Sequence, residues 1–412
     1  MRLTRVLRPI IAAGLMLLIY FGAVLLWPGE AVAANQINQV PQAANPADEQ
    51  KYRETYEKAT VLEVQNIEPP KTDNLDSEIV EQNIKVQVLT GQFTGKEINV
   101  VNNLSGAAGI DIDIKPGDQV VLFFSLKAEA DGQESIESVH LADRVRSPAL
   151  GWLLLLFTGL ILIIGRVQGL KALLGLGATA LGIYFVLLPG LMAGKNVLPL
   201  TIMVLVGVTM VTMVFVAGFT SKALAATLGT LGGLIIAGLL AYSFGELAHL
   251  SGLSTEEERM LLYIDNVKID MQGLLFSGIL IGAVGAIMDV AMSVASTISE
   301  VKKADPARKT IQLFDAGMNV GRDIMGTMAN TLILAYTGSA LPLMLLFIAY
   351  KMEPVRILNW EMIATEIVRA LVGSIALFVC IPITALIAGW LSNRAKPAEV
   401  ESVKNKLPLD WK

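Results

Sequence analysis

Residues Ala149 to Gly165 read ALGWLLLLFTGLILIIG, a run without a single charge. A helix needs roughly 20 apolar residues to cross a hydrocarbon core of about 30 Å, so this run and its neighbours define the solvent of the fold. Six more runs of the same kind follow, near 170–190, 198–219, 222–245, 273–297, 323–349 and 365–391. The whole chain of 412 residues is 53% hydrophobic and 17% charged, with a mean hydropathy of +0.57, which is too apolar for a string of soluble domains. The reading is a polytopic α-helical membrane protein of about seven spans, filling residues 148–392, whose first partner is the lipid bilayer.

Composition also removes several classes of function. A net charge of -5 provides no basic footprint for nucleic acid. The single cysteine, Cys380, lies in an apolar run, and His140 and His249 are the only histidines, so neither a disulfide framework nor a zinc centre is expected. No Walker loop, Gly-x-Ser-x-Gly elbow, His-Glu-x-x-His or dinucleotide fingerprint occurs, and no nucleophile and base stand together. The chain is therefore read as a non-enzyme that needs no cofactor.

Ahead of the first span the chain has a different character. Arg2, Arg5 and Arg8 precede an apolar stretch from Ile10 to Trp27 and then Ala31-Val32-Ala33, the spacing of a signal-peptidase site. Residues 1–34 are an export segment, either a cleaved signal peptide or an uncleaved anchor, and both place residue 35 onward outside. Residues 35–54, rich in Asn, Gln, Ala and Pro, read as a linker. Between 55 and 147 come five runs with two-residue alternation: 59–67, 78–90, 96–102, 118–126 and 134–142. Turn residues separate them, Thr90-Gly91 with Thr94-Gly95, Lys115-Pro116-Gly117-Asp118 and Asp131-Gly132, which suits sequential antiparallel strands. Such strands hide their edges best in a small extracytoplasmic all-β domain, curled or closed in the OB manner.

Positive charge sets the orientation. Loops that fall inside carry Arg166, Lys171, Lys222, Lys302, Lys303, Arg308 and Lys309, and the tail 393–412 carries Arg394, Lys396, Lys404 and Lys406. The outer loops carry fewer, Lys195, Arg259, Lys268, Lys351 and Arg356. The tail is thus cytoplasmic.

Against such apolar spans the polar exceptions are informative, because an ionisable group in hydrocarbon costs at least ~2.5 kcal/mol and needs water or a partner. Asp289, Ser293, Ser296 and Glu300 are spaced i, i+4, i+7, i+11 and share one helix face. In the next span Asn319, Asp323, Thr327 or Gly326, and Asn330 form a similar stripe, with Arg322 beside Asp323. Counting ~1.5 Å per residue from Gly273 puts Asp289 about 24 Å into the bilayer, near the level of Asn330. Two readings stay open. The stripes face each other along a solute or ion route with Glu300, Arg322 and Asp323 as a collar at its mouth, or Asp289 is simply hydrogen-bonded to Asn330 and Thr327. Small-residue patterns, Gly175-x-Gly177, Gly229-x-x-Gly232-Gly233 and Gly278-x-x-x-Gly282-x-x-Gly285, are read first as close helix packing. Glu246-x-x-His249 could present two metal ligands on one turn, and Ser254 with Glu257 reads as a capping box at a helix start.

The stretches GAIMDVAMSVASTISE, residues 285–300, and GMNVGRDIMGTMANTLILAYTGSALPLMLLF, residues 317–347, resemble the YibE/F-like family of bacterial membrane proteins. The resemblance implies a bacterial cell membrane and the order of export segment, external domain and bundle. It carries no activity and no site residues with it.

The leading expectation is a transporter or permease for a small solute or ion, with the polar stripes along its path. The alternative is a non-transporting scaffold or sensor whose external β domain binds an envelope protein.

Overall fold

The computed structural model describes residues 52–67, 80–104, 112–128, 134–264 and 269–394. The export segment, most of the linker and the tail after Arg394 lie outside the described residues. The chain forms two compact units that meet between Leu160 and Ile161, one holding the β sheet and the other the helical bundle.

The sheet has five strands, β1 (Tyr52–Ile67), β2 (Val80–Val88), β3 (Glu97–Leu104), β4 (Gln119–Ala128) and β5 (Glu134–Arg144). All pairings are antiparallel and the order is β3-β2-β1-β4-β5. Strands therefore pair in sequence on either side of the β3–β4 connection, but β4 joins β1 instead of β3. The long β1 makes this possible, since its first half pairs with β4 and its second half with β2. The free edges β3 and β5 bend toward each other, with Cα atoms within 8 Å, so the sheet is a half-barrel.

Alternation chooses the core. Ile84, Val86 and Val88 on β2 and Val120, Leu122, Phe124 and Leu126 on β4 all point inward and are buried. Each such side chain contributes about 1.5–3 kcal/mol on burial. Phe93, in the β2–β3 turn, stacks on Phe124 with ring centroids 5.1 Å apart and closes one end. β1 starts at Tyr52, inside the stretch read as linker. Its first inward positions are Thr55 and Glu57, so no apolar alternation announces it.

Glu57 is buried. Thr90 Oγ1 donates to its Oε2 (2.8 Å) and itself accepts from the Lys58 amide (2.8 Å), which fastens the β2–β3 turn to β1. Gly91 follows with φ 73°, and a Cβ there would run into the Glu57 carboxylate. On the rim, hydrogen bonds from Gln92 and then Arg53 hold the Glu134 carboxyl below its usual range.

The helices are α1 (Ser147–Gly182), continued by a π turn (Ile183–Leu187) and α2 (Leu188–Met192), then α3 (Val197–Ala217), α4 (Ser221–Leu247) and the short α5 (Glu256–Met260). After these come α6 (Met271–Ala304), α7 (Thr310–Ser339), α8 (Leu341–Ala349), α9 (Pro354–Leu358) and α10 (Glu361–Arg394). Among the described residues five helices are long and apolar enough to span a bilayer, and six if the bent pair α7–α8 is one span. The expected seven came from dividing residues 149–190 in two. Here the stretch Ser147–Met192 is likewise two helices, which meet at non-helical backbone on Arg166 (φ 48°, ψ -123°) with Gly169 folded back against the Ile161 carbonyl. The run expected at 323–349 is in turn broken, with a 59° bend between α7 and α8 beside Pro342.

In the bundle α4, α6 and α10 pack on one another, with α3 and α7 against them. Glycine brings the backbones close. A Cβ at Gly233 of α4 would meet Ile287 Cγ2 of α6 at 2.9 Å and Cys380 Cβ of α10 at 3.1 Å. Gly232 lies on Ile383 and Gly245 on the Phe276 ring. Gly278 and Gly285 are different: they are exposed, and nothing lies within 4 Å of where their Cβ would be. The capping box falls one residue later than expected, on Thr255 and Glu258 at the start of α5, while Ser254 donates to Glu258 Oε2.

Candidate functional site

α6 has a buried side and a polar side. Ile287 and Ile298 fit against Gly233, Cys380 and Gly317, whereas Gly278, Gly282, Gly285, Asp289, Ser293 and Glu300 are exposed along one line and Ser296 is half-buried. These positions recur every three or four residues, so one face of α6 is small or polar over almost its full length.

α7 behaves likewise. Leu313, Gly317 and Gly321 are buried, the glycines lying against Ile298, Ala385 and Ile381, while Asn319, Arg322, Asp323, Thr327 and Asn330 are all exposed. The interior between α4, α6 and α10 is mainly aliphatic, with the hydroxyls of Thr227, Thr230 and Thr384 buried among the hydrocarbon side chains. Among the described residues, therefore, the polar positions of α6 and α7 lie away from this packed interior.

Partners are mostly local. Glu300 pairs with Lys303 (2.7 Å), Arg322 Nη1 donates to Asn319 Oδ1 (3.1 Å), and Thr327 Oγ1 donates to the Ile324 carbonyl (2.9 Å). No ion pair among the described residues joins Glu300, Arg322 and Asp323, so the expected collar is not connected. Asp289 has no hydrogen-bond or ion-pair partner among the described residues, and no bond runs from it to Asn330 or Thr327. No hydrogen bond or ion pair among the described residues joins the polar stripe of α6 to that of α7.

One contact links the α6 face to the rest of the site. A Cβ on Gly282 would sit 2.6 Å from the Tyr336 hydroxyl of α7, so that hydroxyl occupies the space the glycine leaves. Gly282 is about 10 Å along the helix from Asp289 on the same line.

Tyr336 also lines a cavity of about 360 Å³ at the α7–α8 bend, together with Thr337, Met344, Phe347, Ile357 and Glu366. Sequence reasoning missed this pocket. Glu366 and Arg369 lie within the expected last span, 365–391, and form a half-buried ion pair (2.7 Å) one turn apart. Each keeps a buried atom, Glu366 Oε2 and Arg369 Nε, with no hydrogen-bond partner among the described residues. Two opposite charges at i, i+3 inside an otherwise apolar run were the available signal. Their place beside Tyr336 was not visible, because it depends on how α7 and α10 cross.

Among the described residues no three His, Cys, Asp or Glu side chains gather as a metal site would. Glu246 and His249 are both exposed at the end of α4, where His249 takes a positive φ of 51° as the helix stops. The loops at the bundle ends are tied down. Glu361 accepts from the Ser251 amide and hydroxyl and from the Gly252 amide, and Lys302 Nζ donates to the Pro306 and Arg308 carbonyls.

A half-barrel sheet followed by five or six long apolar helices, with polar residues placed along two of them, defines a polytopic membrane protein with an N-terminal β domain. The profile of YibE/F-like proteins matches residues 153–394, and that of the YibE/F family N-terminal domain matches residues 52–139. The chain belongs to the YibE/F-like family. No curated protein and no solved structure matches it.

Proposed function

We propose that this protein moves a small solute or ion across the bacterial cell membrane, along the polar face of α6 and past Tyr336 at the α7–α8 bend. The observation that carries the reading is Asp289: a carboxylate without a partner among the described residues, exposed on a spanning helix whose opposite face packs on α4 and α10. Hydrocarbon is a poor neighbour for such a group, so water or a moving solute is the favoured one. From the largely apolar cavity beside Tyr336 and Glu366, a line of small and then polar residues runs along α6 through Gly282 and Gly285 to Asp289, Ser293, Ser296 and Glu300. A broken helix beside a pocket, as at α7–α8, is a common device for placing free backbone ends near a transported group.

In this reading residues 35–147 are outside, the tail is cytoplasmic, and Arg166 divides the first helical run into two spans, giving seven. The strand order β3-β2-β1-β4-β5, with β3 approaching β5, supports closure of the sheet in the OB manner. Asp289→Asn keeps shape and hydrogen-bonding capacity, so it should leave expression intact and abolish uptake or its pH dependence. Wild-type uptake in a well-expressed Asp289→Asn protein would remove the reading, and a loss of folding in Asp289→Leu alone would favour a purely structural carboxylate.

One observation favours the second reading, a scaffold or sensor that binds an envelope protein. Tyr56, Phe123 and His140 face one another across β1, β4 and β5, with ring centroids 5.3 and 6.5 Å apart, and Tyr56 is 63% exposed. An exposed aromatic row of this kind suits a protein partner.

A further inference from the structure

α7 has the highest polar-to-apolar contrast along its length of the spanning helices, and its polar side carries a regular pattern. Asn319, Asp323, Gly326, Asn330, Ile333 and Thr337 follow one another at spacings of four, three, four, three and four residues, and all six are exposed. Alternate steps of four and three are the 3.5-residue period of a seam between two supercoiled helices.

The seam lies opposite the side that α7 already uses. At about 100° per residue, its mean direction is roughly 180° from the face of Leu313, Gly317 and Gly321 that packs on the bundle. It therefore points away from α6 and α10, the helices on which α7 packs.

Nothing in the bilayer suits that face. Asn, Asp and Thr side chains gain little from lipid, whereas small and polar residues at helical spacing are the means by which spanning helices bind each other. Gly326 marks the closest approach, with nothing within 4 Å of its Cβ position.

We propose that the seam is filled by α7 of a second copy of this chain, the two helices running parallel about an axis normal to the membrane. Self-complementarity selects this occupant. Copies related by such an axis hold identical residues at the same depth. Asn330 then meets Asn330 of the second copy, an amide that can donate and accept at once. Arg322, which flanks the seam, comes level with Asp323 of the second copy, and the reciprocal pair forms on the other side. Within one chain Arg322 bonds only Asn319 among the described residues, and Asp323 has no partner. The pairing also shields the α7 face, leaving the Asp289 line of α6 at the margin of the contact. None of this depends on transport, since the face needs cover whether or not a solute crosses.

The test uses the full chain in membranes, with Cys380→Ala removing its only thiol. Oxidation should give disulfide-linked dimers of Gly326→Cys and Asn330→Cys, but not of Thr331→Cys, a neighbour of similar depth about 100° around the helix. Arg322→Asp or Asp323→Arg alone should lose the dimer, and Arg322→Asp combined with Asp323→Arg should restore it. Mass measurement of the unaltered protein in lipid nanodiscs decides the matter if the variants fail to fold. A two-copy mass supports the seam, whereas a monomer, a complex with a different protein, or cross-linking at Thr331→Cys equal to that at Asn330→Cys overturns it.

Discussion

Asp289 was legible as an exception because the apolar run near 273–297 surrounds it, and its spacing to Ser293 and Glu300 correctly indicated a shared face. Its surroundings were not legible. Whether a helix face turns toward a neighbour or away depends on crossing angles, and here Gly233 and Gly317 draw the opposite face of α6 inward. The same limit hid the Glu366–Arg369 pair, whose meaning comes from Tyr336 on another helix. In the β domain the strain is local enough to test by one substitution. Gly91→Ala should destabilise a 52–144 fragment by more than ~1 kcal/mol, because alanine disfavours φ 73° and its Cβ would displace the Glu57 carboxylate. Urea denaturation of the two fragments measures this. Adding Glu57→Ala to Gly91→Ala should recover the part due to collision and leave the part due to φ, while an unchanged midpoint in Gly91→Ala would show that the turn relaxes freely.

Element boundaries followed the chemistry wherever one face was apolar. The alternation of Ile84, Val86 and Val88, and of Val120, Leu122, Phe124 and Leu126, placed β2 and β4 to within a few residues. β1 was cut short because its first inward side chains are polar. Strand order was the larger miss: turn residues mark where a chain reverses, but they do not say which strand a long β1 will accept at its second edge. Since the sheet buries its own core, the 52–144 fragment should fold alone, with a cooperative urea transition and dispersed amide resonances. A random-coil spectrum would mean that the sheet depends on the remainder of the chain. For the helices, hydropathy found the long runs and the break at Arg166, between the expected spans 149–165 and 170–190, but not the bend at α7–α8. Pro342 was in view, but a 59° bend at α7–α8 needs the α9 and α10 side chains that pack into it.

At the scale of the whole molecule, the membrane class follows from composition alone, and the family from the stretches around Asp289 and Asn330. Orientation rests on the lysine and arginine bias of the loops, so an alkaline phosphatase fusion at Lys412 should be inactive and a cytoplasmic fluorescent fusion there should be bright. Active phosphatase at that point would reverse the direction of the Asp289 track. Transport itself requires that water reach Asp289 from at least one side of the membrane. The most direct measurement is therefore labelling of Asp289→Cys, in a Cys380→Ala background, by a membrane-impermeant thiol reagent applied to vesicles of each orientation. Leu239→Cys, on the exposed apolar side of α4, serves as the lipid-facing reference. Labelling of Asp289→Cys well above that reference is the predicted result; labelling no faster than Leu239→Cys from either side would contradict a hydrated path along α6.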